Sequence, residues 1–153
     1  MEASVLRVRA WRAMSRPGRD TARAMSQEIP ERWRLLYSAV TSGDLDGIME
    51  FFHEDVEYLP REESETIHGL DAVRRYFERW LDTWDRFQAE PTEFLARGDH
   101  VVVGEALKGQ GKGSGVEVAM QSWSVSLLRE GLIVRRDEFQ DRAEALEAAG
   151  LSE

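Results

Sequence analysis

Residues 87–140 read FQAEPTEFLARGDHVVVGEALKGQGKGSGVEVAMQSWSVSLLREGLIVRRDEFQ. Apolar and polar residues alternate through most of this stretch, the period of a strand with two different faces. Four strands are predicted, at about 87–97, 100–109, 116–129 and 132–140. The joins are Arg97-Gly98-Asp99, the glycine-rich 109–115 and Glu130-Gly131, all with hairpin chemistry. This pattern specifies a four-stranded antiparallel meander.

Upstream, the period is helical. Trp33, Leu36, Tyr37 and Val40 form one stripe behind Pro30, and Gly43 ends it. Asp44 caps a second short helix whose stripe is Leu45, Ile48, Met49 and Phe52. Val56 to Leu59 reads as a short strand stopped by Pro60, and 61–68 as a polar loop. A third helix opens at Gly69, with Leu70, Val73, Phe77, Trp80 and Trp84 on one face. Downstream, 141–149 forms a closing helix, capped by Asp141, with Ala143, Leu146 and Ala149 beneath it and Gly150 as its stop. The economical packing is an α+β roll: the sheet curls, the helices fill its concave side, and a cavity remains at the mouth.

The whole chain has 153 residues, 42% of them apolar, which suits one core and one domain. No cysteine is present, so disulfides, thiolate metal sites and cysteine nucleophiles are excluded, in keeping with a cytoplasmic protein. No run approaches the roughly 18 apolar residues of a membrane span. The net charge is -9, yet residues 1–27 carry six arginines against Glu2 and Asp20, a local +4. The body therefore holds -13 and should repel nucleic acid and anionic membranes. Residues 1–27 have the composition of a transit peptide, but they fit better a disordered basic head, or a start misplaced upstream of Met14 or Met25. The folded domain is expected to span 28–153.

Three stretches, SGDLDGIMEFFHEDVEYLP (42–60), HGLDAVRRYFERW (68–80) and LLREGLIVRRDEFQDRAEALEAAGL (127–151), resemble the SnoaL-like branch of the nuclear transport factor two superfamily. The resemblance covers about residues 30–151. It implies a cone-like curved antiparallel sheet wrapped around N-terminal helices, the cystatin-like roll, closed by a C-terminal helix. The superfamily holds polyketide cyclases, ketosteroid isomerases, limonene-epoxide hydrolases, dehydratases and members that only bind or dimerise. Activity must therefore be argued from the site. A homodimer built through the outer sheet face is also implied, and Val118, Met120 and Leu128 are the apolar residues available to cover it.

Within that frame the last strand carries the chemistry. Alternation places Val134, Arg136, Glu138 and Gln140 on one face and Arg135, Asp137 and Phe139 on the other. In the cyclases and epoxide hydrolases, the resemblance implies, the proton-transferring acid lies late on this strand, at Glu138 here. A carboxylate at an apolar mouth suits general acid/base work; a salt bridge to Arg136 is the competing reading. Glu105, among Val101, Val103 and Leu107, needs a partner: Glu138 as a second pocket acid, or Arg136 as an ion pair. The aspartate–arginine–aspartate set of the epoxide hydrolases finds Glu105 and Leu107 where its arginine and partner acid belong, which argues against that chemistry. Tyr37 and Tyr58 are available phenols, as the isomerase resemblance requires.

Ligand walls are expected from the aromatics Tyr37, Phe51, Tyr58, Trp80, Trp84 and Trp123. Gln121 shares a face with Trp123 and is placed to bond a ligand; in the opposite register Ser122 or Ser124 would do so. His53, His68 and His100 have no paired spacing, and the glycine-rich 109–115 precedes no helix. No metal and no cofactor are expected. The partner anticipated is a small hydrophobic organic molecule, bound or transformed.

Overall fold

The computed structural model describes residues 29–151; the basic head lies outside them. The elements run α1 (Ile29–Ser42), α2 (Leu45–Met49), β1 (Phe52–Leu59), β2 (Ile67–His68), α3 (Leu70–Asp82), β3 (Trp84–Arg97), β4 (His100–Gly111), β5 (Glu117–Arg129), β6 (Leu132–Phe139) and α4 (Arg142–Ala148). The strands form one curved sheet in the order β2-β1-β6-β5-β4-β3. The α+β roll is the observed fold. Its meander is antiparallel throughout.

Three local readings change. β1 runs parallel to β6, so the sheet is mixed rather than wholly antiparallel. The stretch expected as a polar loop contains β2, a two-residue strand paired with Glu57 and Tyr58. β3 starts at Trp84, a residue the helical period assigns to α3; α3 stops at Asp82.

Each face of the sheet has its own core. On the concave face, α1, α2 and α3 bury Trp33, Leu36, Ile48, Val73 and Phe77 against Val101, Val103, Leu128 and Ile133. On the convex face, α4 lays Ala145, Leu146 and Ala148 over Val102, Val125 and Phe139. Asp141 caps α4 through Ala143 N–H, as the sequence indicates, but Ala143 is exposed and Ala145 and Ala148 take buried positions. The residues expected on an outer dimer face look the other way. Met120 lines the concave cavity and Leu128 belongs to the concave core, and Val118, two residues before Met120, shares their face. Among the described residues, no helix is long and apolar enough to cross a membrane.

One irregularity aims the site. Leu127 pairs with Arg135 and Leu128 with Ile133, which leaves Val134 as an extra residue in β6. Such a bulge reverses the facing of the residues beyond it. Ile133 packs in the concave core, and past the bulge Arg136 and Glu138 reach the same side. The expected sharing of a face by Val134 and Arg136 is broken at that point, while Arg136, Glu138 and the opposed Asp137 stand as alternation placed them.

Candidate active site

The concave face and the helices leave a cavity of about 740 Å³, open mouth included. Its apolar wall is aromatic. Trp80 sits edge-on to Phe87 at 4.3 Å between centroids, and Tyr58 stacks on Phe77 at 5.6 Å. Trp84 reaches the wall only because β4 carries Gly109 there: a Cβ on Gly109 would lie 2.5 Å from the indole.

The floor is polar. Arg136 Nη2 donates to Glu105 Oε1 at 3.3 Å and to Glu138 Oε2 at 3.2 Å, so one guanidinium nitrogen serves two carboxylates. Tyr37 donates to Glu105 Oε2 at 2.5 Å, and Tyr58 to Glu138 Oε2 at 2.5 Å. The Arg61 backbone N–H donates to Glu138 Oε1 at 2.9 Å. Tyr76 donates to Glu62 at the rim.

Sheet register explains how Arg136 spans this distance. Arg136 pairs with Ser126 and Glu105 with Ser122, so a side chain joining them must cross β5 above Ser124. Ser122, Ser124 and Ser126 are all buried. Their small side chains leave a trough in which the long arginine can lie. A larger residue at 124 would lift it.

Charge and burial set the protonation. Burial raises the Glu105 carboxyl above the ordinary glutamate value; Arg136 opposes the rise and Glu138 adds to it. Burial alone would weaken the Arg136 cation, but Tyr37, Glu105 and Glu138 around it outweigh that cost and hold it charged. Burial, reinforced by the neighbouring carboxylates, pushes the Tyr37 and Tyr58 phenols far up, so both stay protonated donors.

Tyr37, Tyr58, Trp80, Trp84, Glu105, Arg136 and Glu138 thus meet around one cavity. Phe51, Gln121 and Trp123 do not. Phe51 packs at the edge of the core under Arg32. Trp123 lies on the convex face, with Arg142 5.8 Å from its ring centroid, and Gln121 bonds Thr92 outside the cavity. The register is the opposite one, and Ser122 with Met120 lines the cavity instead. Sequence reading misses Arg61, Glu62 and Tyr76. Tyr76 is legible, being three residues from Val73 on the buried side of α3; Arg61 and Glu62 sit in a loop without periodicity. Arg136 of β6 pairs with both Glu105 and Glu138, the ion-pair partner the sequence offers to each acid. Among the described residues, no cluster of three metal-ligating side chains forms.

A family model described as a SnoaL-like domain matches residues 33–136, which spans α1 through most of β6 and includes Glu105 and Arg136 of the floor. The chain belongs to the SnoaL-like family. A comparison with curated proteins found no match. Among solved structures, this SnoaL-like chain is similar to a ketosteroid isomerase-like fold protein from Catenulispora acidiphila in complex with trimethylamine, at 20% identity over 80% of this chain and 94% of that one, TM-score 0.67. It is also similar to an epoxide hydrolase/cyclase-like enzyme with a role in pyran ring formation in the polyether salinomycin, at 24% identity over 78% and 95%, TM-score 0.66. A third is a Mycobacterium tuberculosis protein in complex with estradiol-17beta-hemisuccinate, at 16% identity over 72% and 92%, TM-score 0.63. At these identities the likeness is one of fold.

Proposed function

We propose that the protein is an acid/base enzyme of the lyase, isomerase or cyclase type, acting on a small hydrophobic organic molecule held in the concave cavity. The observation that carries this reading is the single Arg136 nitrogen bonded to both Glu105 and Glu138 on the floor of an aromatic-walled cavity. Two carboxyls gathered around one cation place a candidate acid and a candidate base side by side. Burial raises the Glu105 carboxyl, which makes it the proton-holding candidate of the two. Glu138, 14% exposed and held by Tyr58, Arg61 and Arg136, is the base that meets the substrate. The aromatic wall orients a flat ligand against this pair. Similar folds crystallised with small organic molecules support a ligand of that class.

Glu138→Gln keeps the shape of the side chain and removes its charge. Titrated against a panel of polyketide-like and steroid-like compounds, the variant should retain ligands within a few-fold and lose about 10²–10⁴ in turnover, the usual worth of a positioned general base. Unchanged turnover would remove Glu138 from the chemistry. Loss of binding alone would reduce the protein to a carrier.

A further inference from the structure

The loop between β1 and β2, residues 60–66, runs along the rim of the cavity and contributes Arg61 and Glu62 to its lining. Its one buried residue is Pro60 at the start; Glu62, Glu63, Ser64 and Glu65 are exposed. Polar contacts tie it to the rest of the fold. The Arg61 N–H donates to Glu138 Oε1 at 2.9 Å. Its guanidinium Nη1 donates to the Gln121 carbonyl of β5 at 3.1 Å, and Glu62 accepts from Tyr76 of α3. Arg61 thereby links the end of β1 to β5, two strands away across β6. Segments held by a few solvent-near hydrogen bonds and little buried apolar surface open at low free-energy cost.

We propose that Arg61 is the strap of this cavity: its side chain latches the 60–66 loop to β5, and release of the latch both opens the rim and withdraws a donor from Glu138. Arg61 is a positioning residue in this scheme, because it acts on ligand chemistry only through the loop and the carboxylate. The functional value rests on the proposed acid/base role of Glu138, whereas the latch itself does not. With the strap closed, the carboxylate accepts from Tyr58, Arg61 and Arg136 and the rim is narrowed. With it open, Glu138 keeps Tyr58 and Arg136 and loses the backbone donor. Ligand passage and the state of the proton acceptor are thus coupled through one residue.

Hydrogen exchange in the full chain tests the latch without a ligand, because the amide of residue 61 is itself the reporter. Arg61→Ala retains that amide and loses the guanidinium. Its protection should fall about tenfold, the ratio that one hydrogen bond from a charged donor corresponds to. The Val125 amide in the convex core should not change, and Arg61→Lys, which can still donate to the Gln121 carbonyl, should recover most of the protection. Acrylamide quenching of tryptophan emission gives the second reading. Arg61→Ala should raise the quenching constant about twofold if the rim opens, and a Trp80→Phe/Trp84→Phe background should abolish the increase, given the steep dependence of contact quenching on local opening. Equal protection at residue 61 in wild type and Arg61→Ala, or a fall shared equally with Val125, overturns the strap. Lower protection with unchanged quenching overturns its role at the rim. A strap that behaves as expected while Glu138→Gln leaves turnover intact would sink the acid/base reading and spare the latch.

Discussion

Two arginine–acid pairs sit side by side on β6, one on each face. On the convex face Arg135 donates to Asp137, whose side chain is fully buried, with α4 closing that side of the sheet. On the concave face Arg136 donates to Glu138 and Glu105 beside a cavity. Residue types and spacing are nearly the same, and the surroundings differ. In the convex pair the second acid near Arg135, Glu57 at 3.9 Å, is 41% exposed and solvated by water, while Asp137 is fully buried against the guanidinium. In the concave set two largely buried acids face one guanidinium nitrogen at the floor of a cavity. A closed pair fixes structure. Two acids around one cation beside a cavity are the arrangement that the proposed acid/base role needs.

Removing one acid from each face tests this contrast most severely. Asp137→Ala removes the buried carboxylate 3.2 Å from the 12%-exposed Arg135, and should cost about 3–5 kcal/mol in urea unfolding, the penalty for breaking a buried ion pair. Glu105→Gln should cost far less, because Arg136 keeps Glu138 and Tyr37 keeps an acceptor in the amide oxygen. If Asp137→Ala proves as mild as Glu105→Gln, the convex pair is no more structural than the concave one.

Two glycines of β4 carry the same contrast at smaller scale. A Cβ on Gly104 would lie 2.5 Å from the Trp123 ring on the convex face, and one on Gly109 would lie 2.5 Å from the Trp84 ring in the cavity. Either alanine should cost about 1–3 kcal/mol by overpacking, read as a lower denaturation midpoint. Only Gly109→Ala should also weaken ligand binding, by displacing a cavity wall. A ligand titration in which Gly104→Ala loses as much affinity would contradict the assignment of the two tryptophans to opposite functions.

Those glycines also show how far the sequence can be read. Helical and two-residue periods locate α1, α3 and the whole meander, and they sort the charges of β6 onto their true faces. The facing of β5 is not legible. Strand alternation reveals an inner face only when the outer one is wet, and here both are covered, so Trp123 and Val125 pack outward under α4 while Ser122, Ser124 and Ser126 face inward. Gln121 and Trp123 are therefore drawn to the wrong side. The serines share the concave face with Arg136 across the β5–β6 register, a juxtaposition that exists only in three dimensions. The ion pairs of Arg136 are legible, by contrast: a glutamate mid-strand among valines needs a partner, and Arg136 is one of those the sequence offers to Glu105 and to Glu138.

The smallest effects should be pH-dependent and opposite in sign on the two faces. Glu105 has its carboxyl raised above 4.5 by burial. The folded state therefore holds this proton more tightly than the unfolded chain. The stability it contributes is complete below about pH 4.5 and is lost as pH rises through the elevated folded value. Glu93 on the convex side is lowered below 4.5 by its bonds to Arg142 at 2.8 and 3.0 Å. Its contribution is present above about pH 4.5 and disappears as pH falls through the depressed folded value. Being a third exposed, that pair is screened and its share is small. Urea unfolding across about pH 3–8 separates the two, since Glu105→Gln should flatten the decline above pH 4.5 and Glu93→Gln the decline below it. A Glu105→Gln curve parallel to wild type from about pH 5 to 8 would mean that Arg136 fully compensates both carboxylates, and the concave site would then hold no proton to exchange.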